Sequence, residues 1–309
     1  MSTSTRLQLP YCAPADQLPA PLPTFEEMLS ARCITDDGVD AGVHNRIDRN
    51  WPLERGVIRV GEHFVAKLGT DVKTVEGENM LFVKNNTAIR VPAVYAIYER
   101  DNLNFRFRRG VKYQVIVMEY VPGETLSSKL DSLGKEEEDA IAVQLAYHFY
   151  ELRGLAPPSY YGGLVDGQEA RNYLFNSVTQ LSRNNGQFMR NERLRLGYME
   201  KWVLARAEFT RPSDEGDDAP VFTHGSLHAQ NIVIQPDGTV CLIDWEDAGW
   251  CTAAHEYVIA MDLTLDWSRD PLWQEMLASF LDGFEGEMQI LEDLKADRRR
   301  REVEYRAEY

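Results

Sequence analysis

The 309-residue chain is short of cysteine, short of positive charge and without any long apolar run. Its four cysteines, Cys12, Cys33, Cys241 and Cys251, are too few and too scattered for a disulfide framework, and none forms the close pair a zinc site usually needs. No apolar stretch approaches the roughly 18 residues that cross a bilayer, and no basic-then-apolar signal pattern opens the chain. A soluble, cytoplasmic protein with no membrane partner is therefore expected. With 49 Asp and Glu against 33 Lys and Arg, a formal charge of -16 repels phosphate backbones and argues against nucleic acid as a partner. What is present, 44% hydrophobic and 10% aromatic residues, excludes wholesale disorder and is enough to bury a substantial core.

The charge is unevenly placed. Up to Gly123 there are 15 basic and 15 acidic residues, and beyond it 18 and 34. Such an excess either attracts a cationic or amine-bearing ligand or simply keeps acidic helices solvated.

Residues 1–25 contain proline and little periodicity and read as an arm that packs late or not at all, followed by a short helix over 24–32. From Gly56, GVIRVGEHFVAKLG alternates branched and polar residues about Gly61-Glu62, a hairpin that puts Lys67 on its second strand. In TVEGENMLFVKNNT, Val75, Met80, Leu81 and Val83 recur at roughly helical spacing before Asn85-Asn86. VPAVYAIYE and YQVIVMEY add two strands, and Val121-Pro122-Gly123 punctuates their end like a hinge, where the charge balance also breaks. Helical patterns then dominate, at 124–133, 136–153, 172–181, 195–209, 253–264 and 271–284, with SDEGDDAP as an exposed loop. The expected organisation is an arm and short helix at 1–54, a stranded unit at 55–120, a hinge and helical unit at 121–284, and a charged, solvated tail at 285–309.

The block VFTHGSLHAQNIVIQPDGTVCLIDWEDAGW sets polar residues at fixed offsets in a loop between apolar strands, and loops held by rigid strands are where sites are built. Strands at 231–235 and 240–245 flank Pro236-Asp237-Gly238, so hairpin pairing brings the Asn231 amide and the Asp244 carboxylate together. One neutral and one anionic oxygen suit a hard cation such as Mg²⁺. Singly, Asn231 reads as a turn cap and Asp244 as a surface carboxylate; it is the pair at this spacing that points to a metal.

HGSLHAQN, followed thirteen residues after Asn231 by the Asp of IDWE, resembles the HGDLHxxN and IDxE motifs of the aminoglycoside phosphotransferase and choline kinase-like family, especially its fungal small-molecule members. The likeness runs from about Arg55 to about Phe284. It implies an α+β, two-lobed protein-kinase-like fold: a small lobe of antiparallel sheet plus one helix, and a larger, mainly helical lobe. It also implies ATP and Mg²⁺ as cofactors and a small-molecule substrate, with Asn231 and Asp244 as metal ligands. Lys67 in VAK matches the lysine that pairs with nucleotide phosphates, and Glu76 in EGENM the helix glutamate that holds it. Met118, Glu119, Tyr120 and Val121 fall where the family's hinge meets adenine through backbone groups. A glycine-rich phosphate loop is missing, since only Gly56 and Gly61 precede Lys67, and this branch often lacks that repeat.

Ser226 departs from the pattern: it stands where the family has the aspartate that takes the proton of the substrate hydroxyl. A serine hydroxyl carries no charge at neutral pH and is no base without a partner. A positioned base contributes about 10²- to 10⁴-fold, so the loss predicts severe slowing rather than silence. Three readings stay open: a replacement that traps a complex, a pseudokinase-like or repurposed secondary-metabolism protein, and a working phosphotransferase with a substitute base. His228 is the candidate substitute, against a structural hydrogen-bonding role; His224 matches the histidine that braces the loop. Glu246 and Asp247 read as helpers for a second ion or cationic substrate, or as exposed carboxylates. Gly162, Gly163 and Gly167 mark a connecting loop or a substrate flap. Trp245, Trp250, Tyr257, Trp267 and Trp273 read as core before they read as a cation cage.

Overall fold

The computed structural model describes residues 7–33, 56–101, 112–159, 162–164, 219–251, 253–263 and 271–281, together with positions 283, 289 and 296. The helices expected at 172–181 and 195–209, most of the SDEGDDAP loop and of the charged tail, and Gly167 and Trp267 lie outside the described residues. The chain divides into two compact units, one of Met1–Glu151 with His228–Glu246, the other of Leu152–Leu227 with Asp247–Tyr309.

The first unit is built on a six-stranded antiparallel sheet. Its strands are β1 (Tyr11–Cys12), β2 (Arg32–Cys33), β3 (Gly56–Val60), β4 (Phe64–Gly69), β5 (Val94–Asp101) and β6 (Lys112–Glu119), in the order β1-β5-β6-β4-β3-β2. The expected hairpin turns at Gly61, and β4 pairs with β6 so that Lys67 lies opposite Ile116, which in turn lies opposite Ile97. Because side chains alternate along a strand, Phe64, Ala66 and Leu68 point to one face and Lys67 to the other. The first face joins Ile58, Ala96, Val115 and Val117 in a core that Phe25 and Met28 cover. Those two residues lie on helix α1 (Phe25–Ser30), whose start is fixed by a reciprocal Thr24–Glu27 capping box. The segment expected to be an arm is therefore part of the fold: β1 pairs with β5, and Ala13 and Phe25 are buried. Its prolines break periodicity without preventing apolar burial, which is what misled the pattern reading.

The opposite face carries helix α2 (Val75–Asn86). Gly77 lets it approach closely, since a Cβ there would reach within 2.5 Å of the Ile97 side chain. Glu76 is thereby brought down to the row that carries Lys67.

After β6, Glu124–Thr125 form a short strand, β7, before helix α3 (Leu126–Lys129), where helix had been expected throughout. Pairing to a later strand decides it: β7 joins β9 (Ile232–Ile234), which pairs with β10 (Val240–Leu242) in a three-stranded sheet. Helix α4 (Lys135–Arg153) contributes Gln144, which clamps this hairpin by donating to the Gly238 carbonyl and accepting from the Val240 N–H, at 2.9 and 3.0 Å.

In the second unit β8 (Val221–Thr223) pairs with β11 (Gly249–Cys251), and Phe222 meets Trp250 edge-on at 5.2 Å. Helices α5 (Ala254–Leu263) and α6 (Pro271–Phe280) follow. Gly162 exchanges two backbone hydrogen bonds with Trp250, which pins that part of the glycine-rich stretch. Trp245, Trp250, Tyr257 and Trp273 are all buried, the packing role favoured for them. Among the described residues no helix is long and apolar enough to cross a membrane.

Gly123, between β6 and β7, has φ of 145°, and a Cβ there would run into the Ile234 carbonyl. Gly123→Ala is expected to lower stability by about 2 kcal/mol or more, read as a lower urea midpoint at unchanged slope.

Candidate active site

The strand alternation that buries Ala66 on one side of the sheet delivers Lys67 to the other. There its ammonium donates to Glu76 Oε1 at 2.6 Å and to Asp244 Oδ1 at 2.7 Å. Lys67 is 8% exposed and Glu76 1%, so the cation is nearly withdrawn from water between two carboxylates. Burial by itself would lower the Lys67 pKa, but Glu76 and Asp244 more than offset it and hold the ammonium well above its usual range. Burial pushes Glu76 up to about 7, against the pull of Lys67 and with a push from Asp244 and Glu246.

Asp244 lies two residues past the end of β10 rather than closing a strand, as the sequence had suggested. Its φ is 65°, a left-handed conformation that extended pairing cannot accommodate. The backbone on either side is held: the Ile243 N–H donates to the Asn231 carbonyl at 3.0 Å, and the Trp245 carbonyl accepts from Asn79 at 2.8 Å. Asn231 closes a short 3-10 turn, Ala229–Asn231, ahead of β9 and is buried. Glu246, also buried, completes a group in which Glu76, Asp244 and Glu246 each offer a carboxylate oxygen within 4.8 Å of the others. An all-oxygen donor set of this kind fits Mg²⁺, a hard cation bound by carboxylates and amide oxygens.

The loop with the other candidates belongs to the second unit up to Leu227. Glu256, at the start of α5, is 3% exposed and accepts from the backbone N–H of His224 at 2.6 Å and of Gly225 at 3.2 Å. Gly225 has φ of 77°, and a Cβ there would strike the Asp247 carbonyl, so the loop backbone is confined. His224 is fully buried, and its Nδ1 accepts from the Ser226 N–H at 3.3 Å, which leaves the proton of the neutral ring on Nε2. Ser226 itself is half-buried, as is His228, which belongs to the first unit and precedes the 3-10 turn with extended backbone.

At the hinge, the Glu119 N–H donates to the Ala93 carbonyl and the Tyr120 N–H to the His63 carbonyl, both at 2.8 Å. The Glu119 carboxylate is also engaged: it takes two bonds from Arg90, at 2.6 and 2.9 Å, and one from the Ala93 N–H. Arg90 reaches on to Gln235 at 3.1 Å, tying the hinge to the β9–β10 hairpin. Met118 is buried and Val121 half-buried. Glu256, Asn79 and Arg90 are participants that the motif reading missed. Their one sequence signal is a polar residue set among apolar ones, as in HEYVIA, and that does not say what it faces.

The family model described as Phosphotransferase enzyme family matches residues 68–300. No curated protein matches the chain. Among solved structures the chain is similar to the GDP and kanamycin complex of APH(2")-IIia, at 16% identity over 77% of each chain with a TM-score of 0.48. It is also similar to aminoglycoside phosphotransferase APH(4)-Ia, at 12% identity over 73% of this chain and 72% of that one, TM-score 0.47. A third is a microcompartment-associated aminopropanol kinase, at 16% identity over 76% of this chain and 74% of that one, TM-score 0.45.

Burial pushes Glu256 from 4.5 up to about 7, against the two N–H bonds and Arg153, which lower it. The folded state thus binds this proton more tightly than the unfolded one. The stability it contributes is complete below about pH 4.5 and lost as pH rises through about 7. The gap in unfolding free energy between wild type and Glu256→Gln should shrink by about 3 kcal/mol over that window, measured by urea titration at several pH values. A gap independent of pH would refute the assignment.

Proposed function

The chain belongs to the phosphotransferase enzyme family, and from that premise we propose that it binds Mg²⁺-ATP and acts on a small-molecule acceptor through a weakened phosphoryl transfer. The observation that supports this most is Lys67, a buried ammonium shared by Glu76 on α2 and Asp244 after β10. A buried cation so held is a preorganised counter-charge for phosphate oxygens. Glu76 keeps it in place. Asn231 and Asp244, with Glu246 beside them, would hold magnesium, which when bound neutralises charge on the nucleotide phosphates. The Glu119 carbonyl and the Val121 backbone are assigned to the base, since the Glu119 and Tyr120 N–H groups are already bonded to the Ala93 and His63 carbonyls.

Ser226 sits on a loop whose backbone is pinned by Glu256 and His224, which supports the reading that it stands where the family's aspartate would be held. A hydroxyl there orients an acceptor by hydrogen bonding but does not take its proton at neutral pH. The acceptor is a small hydroxyl or amine compound, and the acidic excess beyond Gly123 favours a cationic one. His224, with Nδ1 engaged, is assigned a bracing role, and His228 is assigned the part of substitute base. Ser226 equally supports a second reading, a pseudokinase-like protein that binds nucleotide without transferring phosphate.

Saturating Mg²⁺-ATP is expected to stabilise the wild type, by about 2.7 kcal/mol at roughly 100-fold above Kd, and Lys67→Ala to abolish the effect. Ser226→Asp is expected to raise transfer from ATP to a panel of amines and alcohols by about 100-fold or more. Stabilisation of the wild type with no transfer by Ser226→Asp selects the binding reading; no stabilisation at all rejects both.

A further inference from the structure

Of the three buried polar side chains of helix α2, Glu76, Glu78 and Asn79, the first and last stand one turn apart, and of that pair the nucleotide reading uses only Glu76. Glu76 takes Lys67. Asn79, fully buried, donates its Nδ2–H to the carbonyl of Trp245 at 2.8 Å, across 166 residues of sequence. We propose that Asn79 is a positioning residue for metal binding: by tethering the backbone next to Asp244 it holds that aspartate in the conformation that ligates Mg²⁺. The inference rests on the nucleotide reading above.

The reason lies in the backbone of Asp244. A non-glycine residue at φ of 65° is unfavourable for an L-amino acid and persists where its neighbours over-determine it. On the N-terminal side the Ile243 N–H is bound to the Asn231 carbonyl. On the C-terminal side Trp245 is held by Asn79, and its indole N–H donates to the Leu242 carbonyl at 2.9 Å. The Asn79 bond ties this turn to the helix that also fixes Lys67.

The charged arm from the same helix works differently. Lys67 reaches Asp244 through the carboxylate itself, the group a metal needs, so ammonium and metal compete for it. A tether to a main-chain carbonyl is untouched by that competition. The amide is also chemically required. Carboxylates of Glu76, Asp244 and Glu246 lie within 4.8 Å of one another, and an aspartate at position 79 would add charge nearby while losing the donor.

The test is a thermal-shift titration on the full chain with ADP, alone and with increasing Mg²⁺, comparing wild type with Asn79→Leu and Asn79→Asp. Stabilisation by metal-free ADP should be retained, because Lys67 is unaltered, while the apparent Mg²⁺ affinity measured with ADP present should fall about 10-fold or more. Should Asn79→Leu fail to fold, Asn79→Ser, whose hydroxyl is too short to keep the bond, carries the same comparison. A variant that melts lower yet needs the same Mg²⁺ concentration as wild type makes Asn79 merely structural and overturns the proposal alone. A wild type that responds to neither ADP nor Mg²⁺ overturns the nucleotide reading, and the proposal with it.

Discussion

An ammonium buried between two carboxylates organises the first unit. Lys67 cannot be withdrawn from water unless its charge is met on the spot, and the two groups that meet it come from α2 and from the turn after β10. That requirement explains otherwise arbitrary details. Gly77 is small so that α2 can settle onto Ile97 and Ile116, and Asp244 abandons the extended conformation as the chain leaves β10. Replacing the trio by apolar residues would give a conventional core and no site. A polar centre kept at that expense in desolvation is consistent with a working role for the charge.

The loop from His224 to Ser226 is solved by the same means with neutral partners. Its N–H groups are orphaned by the bend after β8, and the buried carboxylate of Glu256 collects two of them. The loop is thus held whether or not residue 226 carries a charge. A loop held in this way around Ser226 is what both the weakened-enzyme and the binding readings require.

Much of this was legible in the linear chain. Alternation around Gly61 placed Lys67 on a strand, helical spacing placed Glu76 on a helix, and the interval between Asn231 and Asp244 marked a candidate site. The errors at β1 and β7 share one cause. Short elements such as β1 and β7 owe their form to a partner strand distant in sequence, and local pattern carries no trace of it. Trp245, Trp250, Tyr257 and Trp273 were read correctly as core because size and apolarity already favour burial wherever the chain leads.

Residue types and their intervals determined which chemical groups this protein can bring to a site: an ammonium, a helix carboxylate, an amide and carboxylate pair, and a serine. Such choices are local, since donor atoms and charges belong to side chains before folding. Tertiary structure alone decided who meets whom. Asn79 against Trp245, Glu256 beneath His224 and Gly225, and Arg90 across to Glu119 are hydrogen bonds between segments far apart in sequence. A buried polar group takes whatever partner the packed chain brings within about 3 Å, and periodicity holds no record of that distance.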